Sequence, residues 1–291
     1  MKTAVFVDLD FFIRKLNFKF PLIRKFSPIE KADFISNVIY KYVTCHLSYK
    51  KENNELYRIY VYDCPPIDLK IHHPLTNHLV DYSKSFMAQF RSRLHNNIRK
   101  LPSTALRLGK LDLNNKRWKF RNPDFFKKII KEISKMKEIE ELLKITEEDL
   151  KLKKLNILNK LLDMKLDNKI TEEELESLKE EILKKLLHII GNLKEDDIIL
   201  DVGQKQVDMK IGMDITHITL KKIVNKIILI SGDSDFVPVA KLARTEGVIF
   251  VLDPMNHDIS VDLSEHIDAV RSPINRKKCI EKLGLSEFER N

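Results

Sequence analysis

The chain has 291 residues, 43% hydrophobic and 33% charged, with a formal net charge of +9 and three cysteines. That length and apolar content suffice for one large or two modest packed domains and exclude a chain disordered throughout. Cys45, Cys64 and Cys279 form no Cys-x-x-Cys pair, which excludes a disulfide framework and a zinc ribbon.

Residues 3–7 form an apolar strand that ends on Asp8-Leu9-Asp10. Residues 34–49 predict an amphipathic helix, with Phe34, Val38, Tyr42 and Cys45 at helical spacing. Residues 56–62 alternate and predict a second strand, stopped by Cys64-Pro65-Pro66. His72, His73 and His78 mark a polar loop, and a helix is expected around residues 84–100. Residues 104–113 and 118–120 predict a β pair turning at Asn114-Asn115. Beyond residue 197 come a strand–helix unit ending at Asn225, a strand over 226–231, a helix over 236–245 and a strand over 248–252. Strands alternating with helices predict an α/β fold with a parallel sheet and crossover helices.

Residues 123–190 break that rhythm. They hold no Gly, no Pro after Pro123, and are rich in Lys, Glu and Leu. Thr146 and Thr171 each precede an acid by three residues, the pattern of a capping box that satisfies exposed amides at a helix start. With Asp167-Asn168-Lys169 as the turn and a stripe through Leu175, Leu178, Ile182, Leu186 and Ile190, an α-helical hairpin is expected. The predicted organisation is residues 1–122 and 197–275 as two parts of one domain, 123–196 as an inserted hairpin, and 276–291 as a tail. The hairpin either buries its stripes internally or acts as an arm for a homodimer or a partner protein.

Charge is unevenly spread. Residues 121–197 hold 17 Lys+Arg and 19 Asp+Glu, whereas residues 91–121 hold ten basic side chains and one acid, Asp112. Such a stretch suits a phosphate backbone, with Arg91, Arg93, Arg107 and Lys110 as candidate contacts; the alternative is a solvated basic surface. Trp118 and Phe120 either stack a base or pack into a core.

Residues 227–236 form a strand that delivers Asp233 and Asp235 directly after Gly232, and residues 206–214 add Asp208 and Asp214 near a helix start. Ligands of open parallel sheets collect outside the carboxyl ends of the strands. Asp8, Asp208, Asp214, Asp233 and Asp235 are therefore candidates for one site, holding Mg2+ or Mn2+, which prefer oxygen ligands. Ser231 and Ser234 are candidates to bond backbone or a ligand water. Each acid also has a plainer role open to it. Asp208 suits a helix cap, Asp214 lies six residues on and faces elsewhere on a regular helix, Asp10 suits an exposed loop, and Asp253 before Pro254 suits a turn.

The opening Val5-Phe-Val-Asp8, residues 204–214 and residues 229–238 running into 241–247 together resemble the NYN domain, a branch of the PIN-like nuclease superfamily. The resemblance covers roughly residues 1–120 and 198–272. It implies a parallel sheet flanked by helices, metal-dependent cleavage of RNA with Asp8, Asp208 and Asp233 as catalytic residues, and single-stranded RNA as the partner. Many members carry Gly after the first Asp and Asn two residues on; here the chain reads Leu9, Asp10, Phe11. Two rival readings stand beside it. Asp8-Leu-Asp10 with Gly232-Asp-Ser-Asp235 resembles haloacid-dehalogenase phosphatases, although Phe12 and Val237 stand where those enzymes carry Thr or Val and a further acid. The other rival is a catalytically inactive RNA-binding adaptor. No apolar run reaches the roughly 18 residues needed to cross a bilayer, and no signal-type segment opens the chain. The expectation is a soluble, cytoplasmic endoribonuclease that needs a metal.

Overall fold

The fold was analysed in a computed structural model, which describes residues 1–48, 54–144 and 172–288. The chain runs β1 (Lys2–Asp8), α1 (Leu9–Lys19), α2 (Pro28–Leu47), β2 (Glu55–Asp63), β3 (Lys70–His72), β4 (Leu79–Asp81), α3 (Phe86–Ile98) and β5 (Thr104–Leu108). Next come β6 (Lys110–Phe120), α4 (Pro123–Lys144), α5 (Glu172–Gly191), β7 (Ile198–Lys205), α6 (Val207–Leu220) and β8 (Lys226–Ile230). Then follow α7 (Val237–Thr245), β9 (Ile249–Asp253), α8 (Val261–Glu265), β10 (Ala269–Val270) and α9 (Lys277–Leu283). Two compact units result, one of residues 1–72, 79–115 and 202–291, the other of residues 73–78 and 116–201.

The first unit is built on a six-stranded sheet in the order β10-β9-β8-β1-β2-β5, with every adjacent pair parallel. Its central strands are apolar runs because helices cover both faces, leaving no polar side for alternation. Val5 and Val7 enter one core with Leu16, Tyr42, Leu94 and Ile280, while Ala4 and Phe6 enter the other with Ile211, Ile215, Phe236 and Ala240. Helices α1, α2, α3 and α9 thus lie on one face, and α6 and α7 on the other. From β1 the chain builds β2 and β5 to one side, while β8, β9 and β10 extend the sheet to the other. The sheet therefore changes winding direction between β1 and β8, the kind of place where open α/β sheets bind ligands.

Local chemistry explains where elements depart from expectation. Helix α2 begins at Pro28 rather than at residue 34, because Ser27 Oγ accepts the Glu30 N–H at 3.3 Å and Glu30 Oε2 accepts the Ser27 N–H at 3.0 Å. Residues 104–120 are not a hairpin. β5 joins the central sheet beside β2, and β6 runs unbroken through Asn114-Asn115 to pair with β7. The break between β5 and β6 falls at Gly109, where a β-carbon would lie 2.5 Å from the Lys205 carbonyl oxygen and only glycine fits. Nor are residues 276–288 a tail, since Cys279, Ile280, Leu283 and Leu285 are buried in the core beside α2.

In the second unit α4 packs on α5, burying Ile139, Ile182 and Leu186. Ile190, from the same predicted stripe, is exposed. The two Thr capping motifs and the Asp167-Asn168-Lys169 turn lie outside the described residues.

Candidate active site

Val7 of β1 pairs in register with Ile230 of β8, so Asp8 and Ser231 leave the sheet side by side at its carboxyl edge. Asp8 ends the strand and also caps α1, its Oδ1 accepting the Phe11 N–H at 3.1 Å. Ser231 is fully buried, and its Oγ receives the Asp233 N–H at 3.4 Å. Asp233 Oδ1 in turn accepts the Asp235 N–H at 3.0 Å, capping the short turn that leads into α7. On the third segment, Gln206 adopts a left-handed conformation, φ 71°, and turns the chain into α6 with Asp208 in its first turn. Asn and Asp visit that region far more readily than Gln, so the turn is locally costly.

These acids feel one another. Burial pushes the Asp8 carboxyl up to about 6, the Phe11 amide opposes the rise, and the negative charges of Asp208 and Asp10 add to it. The Asp208 carboxyl is raised by partial desolvation and then by Asp233 and Asp235. A cleft of about 530 Å³ opens beside them, walled by Asp8, Phe11, Ser231, Gly232, Asp233 and Ser234 and by Arg14, Lys15, Phe18, His257 and Ser260. Carboxylate oxygens held against their ionised form are the donor chemistry that Mg2+ or Mn2+ would stabilise. Among the described residues no three Asp, Glu, His or Cys side chains stand in ligand geometry as they are, so water or side-chain rotation would complete the coordination.

The remaining candidates lie elsewhere. Asp214 accepts the Tyr62 hydroxyl at 2.7 Å and pairs with Arg107 at 3.5 Å rather than joining the other acids. Arg91 is buried, contrary to a role on an accessible RNA-binding surface. It forms ion pairs with Asp63 and, at 2.7 Å, with Asp10. His95 donates to Asp63 at 2.7 Å, and burial with the charges of Arg91 and Arg99 holds its pKa down at about 4, so it is a neutral imidazole. Asp10, expected in an exposed loop, is instead clasped by Arg91 and by Arg14 at 3.0 Å. Arg93 pairs with Asp33 at 2.8 Å, and Lys110 remains exposed. Asp253 is fully buried and accepts from Tyr42, His46, Ser272 and the Met255 amide, which makes it a structural hub. In the second unit His73 packs edge-on against Trp118 with ring centroids 5.1 Å apart.

Arg14, Lys15, Phe18, His257 and Ser260 escaped the sequence reading. The signal for the first three is helical. Leu9, Phe11, Phe12, Ile13 and Leu16 are buried, so Arg14, Lys15 and Phe18 stand on the side of α1 turned away from the core, with the buried Phe11 ring at its margin.

The family model for the NYN domain matches residues 124–268. The chain carries an NYN domain. NYN domains belong to the PIN-like nucleases, and the α/β architecture with its six-stranded parallel sheet agrees with a PIN-like fold. The matched segment contains Asp208, Asp233 and Asp235; Asp8 precedes it, on a strand bonded to β8 in the same sheet. No curated protein and no solved structure matches the chain. Among the described residues no helix is long and apolar enough to cross a membrane.

Proposed function

We propose that this NYN domain is a metal-dependent endoribonuclease acting on single-stranded RNA, with Asp8, Asp208 and Asp233 as its central residues. The observation that carries the reading is the meeting of acids from three remote segments at the winding switch between β1 and β8, beside an open cleft. Asp8, Asp208, Asp233 and Asp235 would hold a hard divalent cation such as Mg2+ or Mn2+, which supplies positive charge at the phosphodiester and a water of lowered pKa.

The chain's own groups have distinct tasks. Burial raises the Asp8 carboxyl to about 6 in the metal-free protein, so a bound cation would offset the cost of holding it ionised at the end of β1. The Ser231–Asp233–Asp235 hydrogen bonds fix the loop before substrate arrives, which limits reorganisation during reaction. Asp214 steadies Tyr62 at the sheet edge rather than serving as a ligand.

This reading also separates itself from its rivals. A phosphatase would use Asp10 as a free proton donor, but that side chain is held by two arginines. A binding adaptor has no use for carboxylates that are raised by burial and by one another's charge and that would repel RNA. The helical second unit serves assembly or substrate access, as a contact for a second copy or a partner protein. Three free, buried cysteines suit a reducing cytoplasm.

The test is incubation of the purified protein with labelled single-stranded RNA, RNA duplex, DNA and a phosphomonoester, in manganese or in EDTA. Internal cleavage of single-stranded RNA that EDTA abolishes is expected. Hydrolysis of the phosphomonoester alone would contradict the proposal.

A further inference from the structure

We infer that the face of α1 carrying Arg14, Lys15 and Phe18 is the track that receives single-stranded nucleic acid and leads it to the carboxylates; the inference rests on the nuclease reading above. Positions 11, 14, 15 and 18 follow helical spacing, so these side chains line up on one side of α1. All four wall the same cleft as Asp8 and Asp233. Arg14 and Lys15 offer positive charge and Phe18 an exposed ring, while the buried Phe11 ring packs beneath Lys15. Single strands are gripped by that combination, cations on the phosphates and rings beneath the bases.

The side chains are presented for it. The Arg14 side chain is 69% exposed although its Nε rests on Asp10 at 3.0 Å. Lys15 Nζ stands 5.5 Å from the centre of the Phe11 ring, which holds it over the cleft. Phe18 is 65% exposed, unusual for so large an apolar ring. Across the cleft, Ser234, His257 and Ser260 add polar groups within the same walls.

The arrangement also solves an electrostatic problem. An acidic site repels the phosphates it must cut, and Arg14 and Lys15 give the adjoining phosphates a reason to approach. The basic stretch at residues 91–121 is less suited, because Arg91 is buried and none of the stretch is among the residues walling the cleft beside Asp8 and Asp233. Stacking on Phe18 requires an unpaired base with its face open, which a duplex withholds. The track therefore selects single strands.

The experiment measures anisotropy of a short fluorescent oligouridylate on full-length protein carrying Asp233→Asn, over a range of KCl concentrations. Arg14→Gln with Lys15→Gln should flatten the salt dependence by about 1.4 log units, roughly 0.7 for each lost phosphate contact. Phe18→Ala should weaken binding about 10-fold with the slope retained. Lys15→Arg should bind like the parent, and an RNA duplex should bind weakly to all forms. If the double variant melts early, Lys15→Gln and Phe18→Ala decide the matter by the same readouts. Unchanged affinity and slope in these folded variants would overturn the track, and continued RNA cleavage by the otherwise wild-type chain would leave the nuclease reading standing. Binding that follows this pattern in a chain that never cleaves RNA would keep the track and remove the nuclease.

Discussion

The ring of Phe11 occupies the space a side chain at Gly232 would need: a β-carbon there would lie 2.7 Å from Phe11 Cε2 and 3.1 Å from Cζ. This contact holds the Ser231–Gly232–Asp233 loop against α1, whose first turn Asp8 caps. Gly232→Ala must therefore displace either the ring or the loop. Overpacking of this kind costs about 1–3 kcal/mol, and cleavage should fall because Asp233 moves with the loop. Phe11→Leu in the same chain should recover part of both losses. Thermal unfolding and kcat/KM on the two single variants and the double variant measure the coupling; additive effects would show that the contact does not position the loop.

Arg91 is expected to matter for folding rather than for holding RNA. Its guanidinium joins buried Asp63 to Asp10. Removing one partner of a buried pair leaves an uncompensated charge, and Arg91→Met should cost about 3–5 kcal/mol in urea unfolding. The salt slope of RNA binding, measured where the variant is folded, should match that of the parent. A flattened slope with normal stability would return Arg91 to the RNA surface.

Much of this architecture was legible in the sequence because apolar runs such as residues 4–7 and 227–230 are buried on both faces, as a covered parallel strand requires. The acids at the ends of β1 and β8 followed from the same pattern. Helix α1 was not legible because its buried positions 9, 11, 12, 13 and 16 sit directly against the strand pattern of β1, with no Gly or Pro between them. The destination of Arg91 was not legible either, since its partners are Asp10 and Asp63, and only the tertiary fold brings these two acids to one guanidinium. Asn114-Asn115 read as a turn by composition, yet the ladder with β7 outweighs that local preference.

The metal-free protein should lose stability as pH rises through the titration of Asp8. Its carboxyl goes from the ordinary 3.8 to about 6 on folding, so its contribution is fully present below about pH 4 and is lost as pH passes about 6. The loss is at most roughly 3 kcal/mol. Urea unfolding in EDTA at both ends of that window should show it, and Asp8→Asn should flatten this part of the profile. Because a divalent cation needs the ionised carboxylate, added Mn2+ should raise Tm more above pH 6 than below it. A cation effect independent of pH would argue against Asp8 as a ligand.

Replacing residues 123–196 with a short Gly/Ser linker should leave a folded first unit, since the six-stranded sheet and both its cores lie outside the replaced stretch. Light scattering should report fewer chains per particle than in the parent if the helices join copies of the chain. An unchanged number of chains would argue against a dimer contact, and a folded but inactive product would show that part of the site belongs to the replaced segment.

The most direct measurement is cleavage of labelled single-stranded RNA in Mn2+ by Asp233→Asn beside the unmodified chain. The exchange keeps the size of the side chain and removes one charge from the acidic edge of the cleft. Loss of such a group from a metal-assisted site should lower the rate by on the order of a hundredfold or more, with Tm little changed. Normal turnover by well-folded Asp233→Asn would contradict the assignment of this cleft as the nuclease site.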